Sequence, residues 1–186
     1  MILGAENYAW YAARAGGMLA FVLLTASVVA GLLLSGRARL DRWPRFALED
    51  VHGFLGLLAG SFILLHGAAL LVDSYLPFSL RNLLVPGTAP YRPLAAAAGV
   101  IAAELLAALA ITNRYRKALP HRFWRRAHYL NFAVWALALV HGVTAGTDTR
   151  GLWATALYLS SAALVGGLTA ARFVPAQPPP RRTAVR

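Results

Sequence analysis

Residues 51–72 read Val51-His52-Gly53-Phe54-Leu55-Gly56-Leu57-Leu58-Ala59-Gly60-Ser61-Phe62-Ile63-Leu64-Leu65-His66-Gly67-Ala68-Ala69-Leu70-Leu71-Val72, an uncharged run bounded by Asp50 and Asp73. A helix of about 20 apolar residues crosses a hydrocarbon core, so this run is long enough to span one. Four more runs resemble it. Gly16–Ser35 is uncharged, Pro93–Thr112 carries one acid (Glu104), Ala127–Thr147 is uncharged after Arg126, and Gly151–Ala171 lies uncharged between Arg150 and Arg172. Lipid offers no partner for free backbone groups, which makes helices the default, and Ala- and Leu-rich runs lack the alternation of barrel strands. With 59% hydrophobic and 13% charged residues, the chain reads as an all-α integral membrane bundle of five transmembrane helices. The first run lacks the basic start of a secretory signal and is read as a retained span.

The net charge of +11 raises the possibility of nucleic-acid binding, but the positions of the charges argue for topology. Arg37, Arg39, Arg42 and Arg45 lie between spans one and two. Arg114, Arg116, Lys117, Arg122, Arg125 and Arg126 lie between spans three and four, and Arg172, Arg181, Arg182 and Arg186 follow span five. Arg14, Arg81, Arg92 and Arg150 alone fall on the opposite side. The positive-inside rule then places the N-terminus outside and the C-terminus in the cytoplasm, in a cell membrane of the bacterial inner-membrane kind. Aromatics mark both expected interfaces: Tyr8, Trp10, Tyr11, Tyr75, Tyr91 and Trp153 outside, Trp43, Tyr115 and Trp124 inside. The basic loops are assigned to lipid headgroups rather than nucleic acid.

The chain reads as one transmembrane domain, residues 1–174, with a disordered Pro- and Arg-rich tail at 175–186. Within the outer loop, Pro77–Leu84 has the pattern of a short amphipathic helix ended by Pro86-Gly87. There is no cysteine, which excludes disulfides, cysteine-ligated clusters and covalent haem attachment.

Four of the five histidines fall on two spans: His52 and His66 on the second, His128 and His141 on the fourth. At about 1.5 Å per residue the two steps cover about 21 and 20 Å. Both spans run from cytoplasm to exterior, so His52 and His128 share the inner level while His66 and His141 share the outer. Two imidazoles at one depth on neighbouring helices suit the two axial positions of a haem iron, and two levels would stack two haems. Intramembrane metal-binding side chains are costly and usually functional. Gly53, Gly56, Gly60, Gly67 and Gly142 would let a flat macrocycle approach the backbone, or let helices pack closely. One geometric point resists. A 14-residue step returns within about 40° of the same helix face, but a 13-residue step misses by about 140°. Span four must depart from ideal winding, or its histidines must approach from different flanks.

The segments Val51-His52-Gly53 through His66, Pro77-Phe78-Ser79-Leu80, Tyr91-Arg92-Pro93, Trp124-Arg125-Arg126-Ala127-His128-Tyr129-Leu130, and His141-Gly142 with Gly146-Thr147-Asp148 resemble the ferric reductase-like transmembrane domain. That superfamily takes in ferric reductases, NADPH oxidases and MsrQ-type membrane subunits, and the resemblance covers roughly residues 40–172. It implies a bundle with two noncovalent b-type haems, in which His52, His66, His128 and His141 match the four ligands. Oxidases and eukaryotic ferric reductases continue into a flavin- and NADPH-binding domain. This sequence shows no G-x-G-x-x-G loop, so the expected donor is a separate flavoprotein, a bound flavin or a membrane quinol. The expected acceptor lies at the outer face, and the chain is expected to act as an oxidoreductase subunit.

Haem propionates need cationic or donor partners. Arg125 and Arg126 are candidates for the inner haem, Arg81 and Arg92 for the outer, although each also suits phosphate contact. Trp135 and Phe62 sit midway in depth, where they could lie between the haems or simply pack. Glu104 falls near mid-span, as a proton relay or quinol-site acid, or as a protonated group bonded to Ser61 or Thr25 inside the bundle. His121 is expected in solvent. Two further classes remain open: a haem-free or haem-sensing scaffold, and a transporter with histidines on a proton or metal path.

Overall fold

The computed structural model describes residues 5–36, 44–74 and 76–173. Arg37, Arg39, Arg42, Trp43, Tyr75 and the tail 175–186 lie outside the described residues. The order of elements is α1 (Ala5–Ser35), α2 (Arg45–Val72), α3 (Leu80–Leu84), α4 (Pro93–Arg114), α5 (His121–Tyr129), α6 (Asn131–Ala145), a 3-10 turn at Asp148–Arg150, and α7 (Leu152–Ala170). Four of these helices are long and apolar enough to cross a membrane: α1 over Tyr8–Ser35, then α2, α4 and α7. The chain is therefore an all-α protein of multi-pass membrane character.

The expected fourth span differs from a single helix. The run from Ala127 to Thr147 is divided at Leu130, which belongs to neither α5 nor α6. Its amide bonds back three residues to Ala127 O (2.9 Å) rather than four, and the regular ladder resumes with Val134 N to Leu130 O (3.0 Å). Asn131 explains why the break is tolerated. Its Nδ2 donates to the His128 carbonyl (2.8 Å), supplying a partner where the helix ladder is interrupted. At 15 residues α6 is only about 22 Å long.

Helix α1 stands at the centre. It packs along α2 on one side and touches α6 and α7 on the others, while α4 packs along α6. Phe21, Leu24, Val28 and Leu32 of α1 meet Val134 and Trp135 of α6 and Tyr158 and Val165 of α7 in the core. Phe21 lies 5.2 Å from Tyr158 and 6.4 Å from Trp135 between ring centres. The Trp135 indole N–H donates to Thr25 Oγ1 (3.0 Å), which satisfies both buried polar groups at once. Arg14 pairs with Asp148 at one end of α1, and Arg172 donates to the Leu32 carbonyl (2.7 Å) and Ser35 Oγ at the other. These two clasps set α1 and α7 parallel. α2, by contrast, turns most of its surface outward, with Phe54, Leu57, Leu64 and Leu65 exposed.

The short helix expected over Pro77–Leu84 is present as α3, but only from Leu80 to Leu84. Ser79 and Asn82 form a reciprocal capping box at its start, and Gly87 at φ +83° makes the turn after it. At the start of α4, Arg92 adopts the left-handed conformation (φ 43°) immediately before Pro93. That conformation costs roughly 1–3 kcal/mol in a non-glycine residue. The Arg92 guanidinium donating to the Thr144 carbonyl on α6 helps hold it, and the same group lies 5.2 Å over the Tyr91 ring.

Candidate functional site: two histidine pairs

The two pairs expected from the sequence face each other in the folded chain. The His52 and His128 ring centres are 5.9 Å apart, and those of His66 and His141 are 6.3 Å apart. The planes within each pair are inclined at 74° and 73°. Among the described residues α2 has no extensive packing on α5 or α6, so His52 meets His128 of α5, and His66 meets His141 of α6, across a gap. The 13-residue step does not run through one continuous helix: the run is broken at Leu130, and each of its two rings lies against its partner on α2.

Three of the four rings sit in the same kind of seat. His66 Nδ1 lies 2.6 Å from the Ala13 carbonyl, His52 Nδ1 2.8 Å from the Ser27 carbonyl, and His141 Nδ1 2.9 Å from the Ala95 carbonyl. A carbonyl oxygen only accepts, so Nδ1 carries the proton in each case and Nε2 presents its lone pair to the gap. Four residues beyond each carbonyl stands a glycine that leaves room for the ring. A Cβ on Gly17 would fall 3.0 Å from His66 Nδ1, on Gly31 3.2 Å from His52 Cε1, and on Gly99 2.7 Å from His141 Nδ1. The seats on α1, Ala13/Gly17 and Ser27/Gly31, are 14 residues apart, the same step as His66 and His52 on the antiparallel α2. Sequence reasoning named other glycines. Gly53 and Gly60 face open space, Gly56 meets Ser27, Gly67 meets Leu83, and Gly142 sits under the Tyr158 hydroxyl. The legible signal was the triple recurrence of a small residue followed four positions later by glycine at 13/17, 27/31 and 95/99.

His128 is the exception. Among the described residues no backbone carbonyl accepts from its Nδ1, which lies 3.5 Å from the Asn131 amide nitrogen. Instead its ring stacks on Trp124 (5.2 Å, 27°), and Trp124 in turn lies 5.7 Å from the exposed His121. Ser27 adds a second link at this level, its hydroxyl donating to the His52 carbonyl (3.2 Å).

The His66–His141 pair opens into a cavity of about 260 Å³ whose walls come from α1, α2, α4, α6, α7 and the loop around α3. Its polar wall includes Arg14, Asn82 and Asp148. Arg14 Nε donates to Asp148 Oδ2 (3.0 Å), Nη2 donates to Oδ1, and the guanidinium lies 5.8 Å over the Trp10 ring. Arg14 is thus the cation nearest this site, a residue the sequence reading counted for topology alone. The four arginines proposed for carboxylate binding fare differently. Arg81 is exposed and off the cavity wall, Arg92 is engaged by Thr144, and Arg125 and Arg126 are exposed on α5. Trp135 belongs to the core beside Thr25, off the cavity wall, and Phe62 is likewise off it. Glu104 corrects an expectation. It is exposed on the outer face of α4, not bonded inside the bundle; Thr25 is taken by Trp135, and Ser61 by the Leu57 carbonyl.

Two trans imidazoles on one metal ion, with bonds of about 2 Å and each ring centre roughly 1.1 Å behind its nitrogen, place the centres about 6.2 Å apart. Both pairs meet that spacing, and a carbonyl accepting from Nδ1–H is what orients metal-bound histidine. Among the described residues no His, Asp or Glu joins either pair to make a group of three. The class defined by fold and site is a multi-pass helical bundle with two histidine pairs about 20 Å apart along it. No family model, curated protein or solved structure matches the chain, so the resemblance rests on the quoted residues alone.

Proposed function

We propose that the chain is a di-haem membrane cytochrome of the b type, with five membrane spans, that passes electrons from a separate donor to an acceptor at the opposite face. The α5–α6 unit would be the fourth of these in chain order, beside α1, α2, α4 and α7. The observation that carries the reading is the two histidine pairs at trans-ligand spacing, three of the four rings tautomerically fixed with Nε2 toward the gap. A pair supplies only two ligands, too few for a protein-held ion, which favours a metal that arrives with its remaining ligands already on a macrocycle. When bound, each haem supplies one-electron chemistry by cycling its iron between ferric and ferrous states.

The chain's own residues would do the rest. His52 with His128 and His66 with His141 would hold the two haems, and two protein ligands for each would suit electron transfer over oxygen binding. Gly17, Gly31 and Gly99 admit the rings, and the carbonyls of Ala13, Ser27 and Ala95 hold Nδ1–H and raise ligand basicity. Arg14 offers a cation to a carboxylate at the cavity mouth. The basic residues of the α4–α5 turn and α5 would face the cytoplasm and a flavoprotein, flavin or quinol donor. This is a ferric reductase-like role without a nucleotide-binding loop in the sequence.

The test is the absorption spectrum of protein purified from haem-replete cells. A reduced-minus-oxidised b-type signal with about two haems per chain is expected. A colourless protein ends the reading and favours the scaffold or transporter alternatives.

A further inference from the structure

We infer that Trp124 is the positioning residue of the His52–His128 site, clamping His128 by its ring and holding a macrocycle carboxylate by its indole N–H. The inference rests on the two-haem reading and goes beyond it. Two independent observations at one residue carry it.

The first is that His128 has no seat. His52, His66 and His141 each donate Nδ1–H to a carbonyl beside a glycine, and His128 does not. His128 also stands apart from the other three in lying on α5, before the break at Leu130. The Asn131 amide nitrogen at 3.5 Å from Nδ1 is a longer, weaker tether than those carbonyls. Trp124, one helical turn earlier on α5, replaces the bond with a face: the two rings stack at 5.2 Å and 27°.

The second is an orphaned donor. Trp124 Nε1 is shielded from solvent and has no hydrogen-bond partner among the described residues. The contrast with Trp135, whose indole N–H is satisfied by Thr25, shows how this protein treats a buried indole when nothing else is to be bound. A buried donor left unpaired is costly, and its occurrence against a ligand histidine is the pattern of a group waiting for an acceptor. A haem carries two carboxylates. Arg125 and Arg126, adjacent in sequence, are exposed and suited to the outer side of the same carboxylate or to lipid phosphate.

The experiment compares Trp124→Phe and Trp124→Leu in the full chain, reading haem dissociation and the ferric low-spin EPR signal of each site. The His66–His141 haem is the folding control. Trp124→Phe keeps the stacked face and removes the N–H, so the His52–His128 haem should leave roughly tenfold faster with its EPR line position retained. Trp124→Leu removes the face as well and should also move that line, because the angle between axial imidazole planes sets the anisotropy. Wild-type retention in the Phe variant overturns the anchor, and an unmoved line in the Leu variant overturns the clamp. Equal loss of both haems overturns the assignment to one site. A wild-type protein without haem defeats the two-haem reading itself, and this inference with it.

Discussion

Gly99→Ala tests the seats most severely. The added methyl would lie 2.7 Å from His141 Nδ1, 2.8 Å from Cε1 and 2.9 Å from Cγ, closer than any real Cβ contact. The ring cannot retreat freely, because its Nδ1–H is held by the Ala95 carbonyl one turn away on the same helix. Either α4 and α6 separate or the hydrogen bond breaks. Overpacking costs about 1–3 kcal/mol and the lost bond about 0.5–1.5 kcal/mol, so the change should cost from about 0.5 kcal/mol by one route alone to about 4.5 kcal/mol if both occur. The same change should be milder at Gly17 (3.0 Å) and mildest at Gly31 (3.2 Å). At Gly60, which meets nothing within 4 Å, the helix propensity of Ala should stabilise by about 0.5–1 kcal/mol. Thermal unfolding of the purified variants in detergent reads the order without requiring haem, and haem content per chain reads the site. If Gly99→Ala matches Gly60→Ala in both, the seats do not hold the histidines and the reasoning fails.

Other outcomes follow from the same geometry. His66→Ala or His141→Ala should halve the haem content and leave the His52–His128 signal, measured by pyridine haemochrome. Plane angles of 74° and 73° should give both ferric haems strongly anisotropic low-spin EPR signals, whereas a signal of parallel imidazoles would contradict the ring orientations. Arg14→Gln should weaken retention of the His66–His141 haem several-fold more than Arg81→Gln, since Arg14 alone of the two lines that cavity. The Arg14–Asp148 pair is about a third and a quarter exposed, so its loss should cost at most about 1 kcal/mol of stability, read by thermal unfolding. Trp135→Phe leaves the buried Thr25 hydroxyl without its partner and should destabilise by about 1–3 kcal/mol while sparing the haem spectrum.

Much of this was legible in the sequence because it depends on spacing. The apolar runs predicted α1, α2, α4 and α7, and equal depth predicted which histidines meet. What escaped depends on local departures from ideal helix and on which face a residue takes. The break at Leu130 has no proline or glycine to announce it; the nearest sign is Asn131, whose side chain competes for backbone bonds. Glu104 could not be placed because a lone acid in an apolar helix reads the same whether it faces in or out. The arginine nearest the cavity was missed since Arg14 stands 134 residues from Asp148, and only the fold joins them. The glycine seats were missed because attention fell on glycines beside the histidines in the chain, while those that admit the rings lie on the neighbouring helices.

Helix α1 carries none of the paired histidines, yet it acts as the gauge for the two on α2. Its two carbonyl-and-glycine notches fix the heights at which His52 and His66 can be read against it. Removing a single residue between Gly17 and Gly31 would swing one notch about 100° around the axis and shorten the interval by about 1.5 Å, with every histidine still in place. A segment that looks like interchangeable lipid filler is therefore the part of the chain least free to change its length.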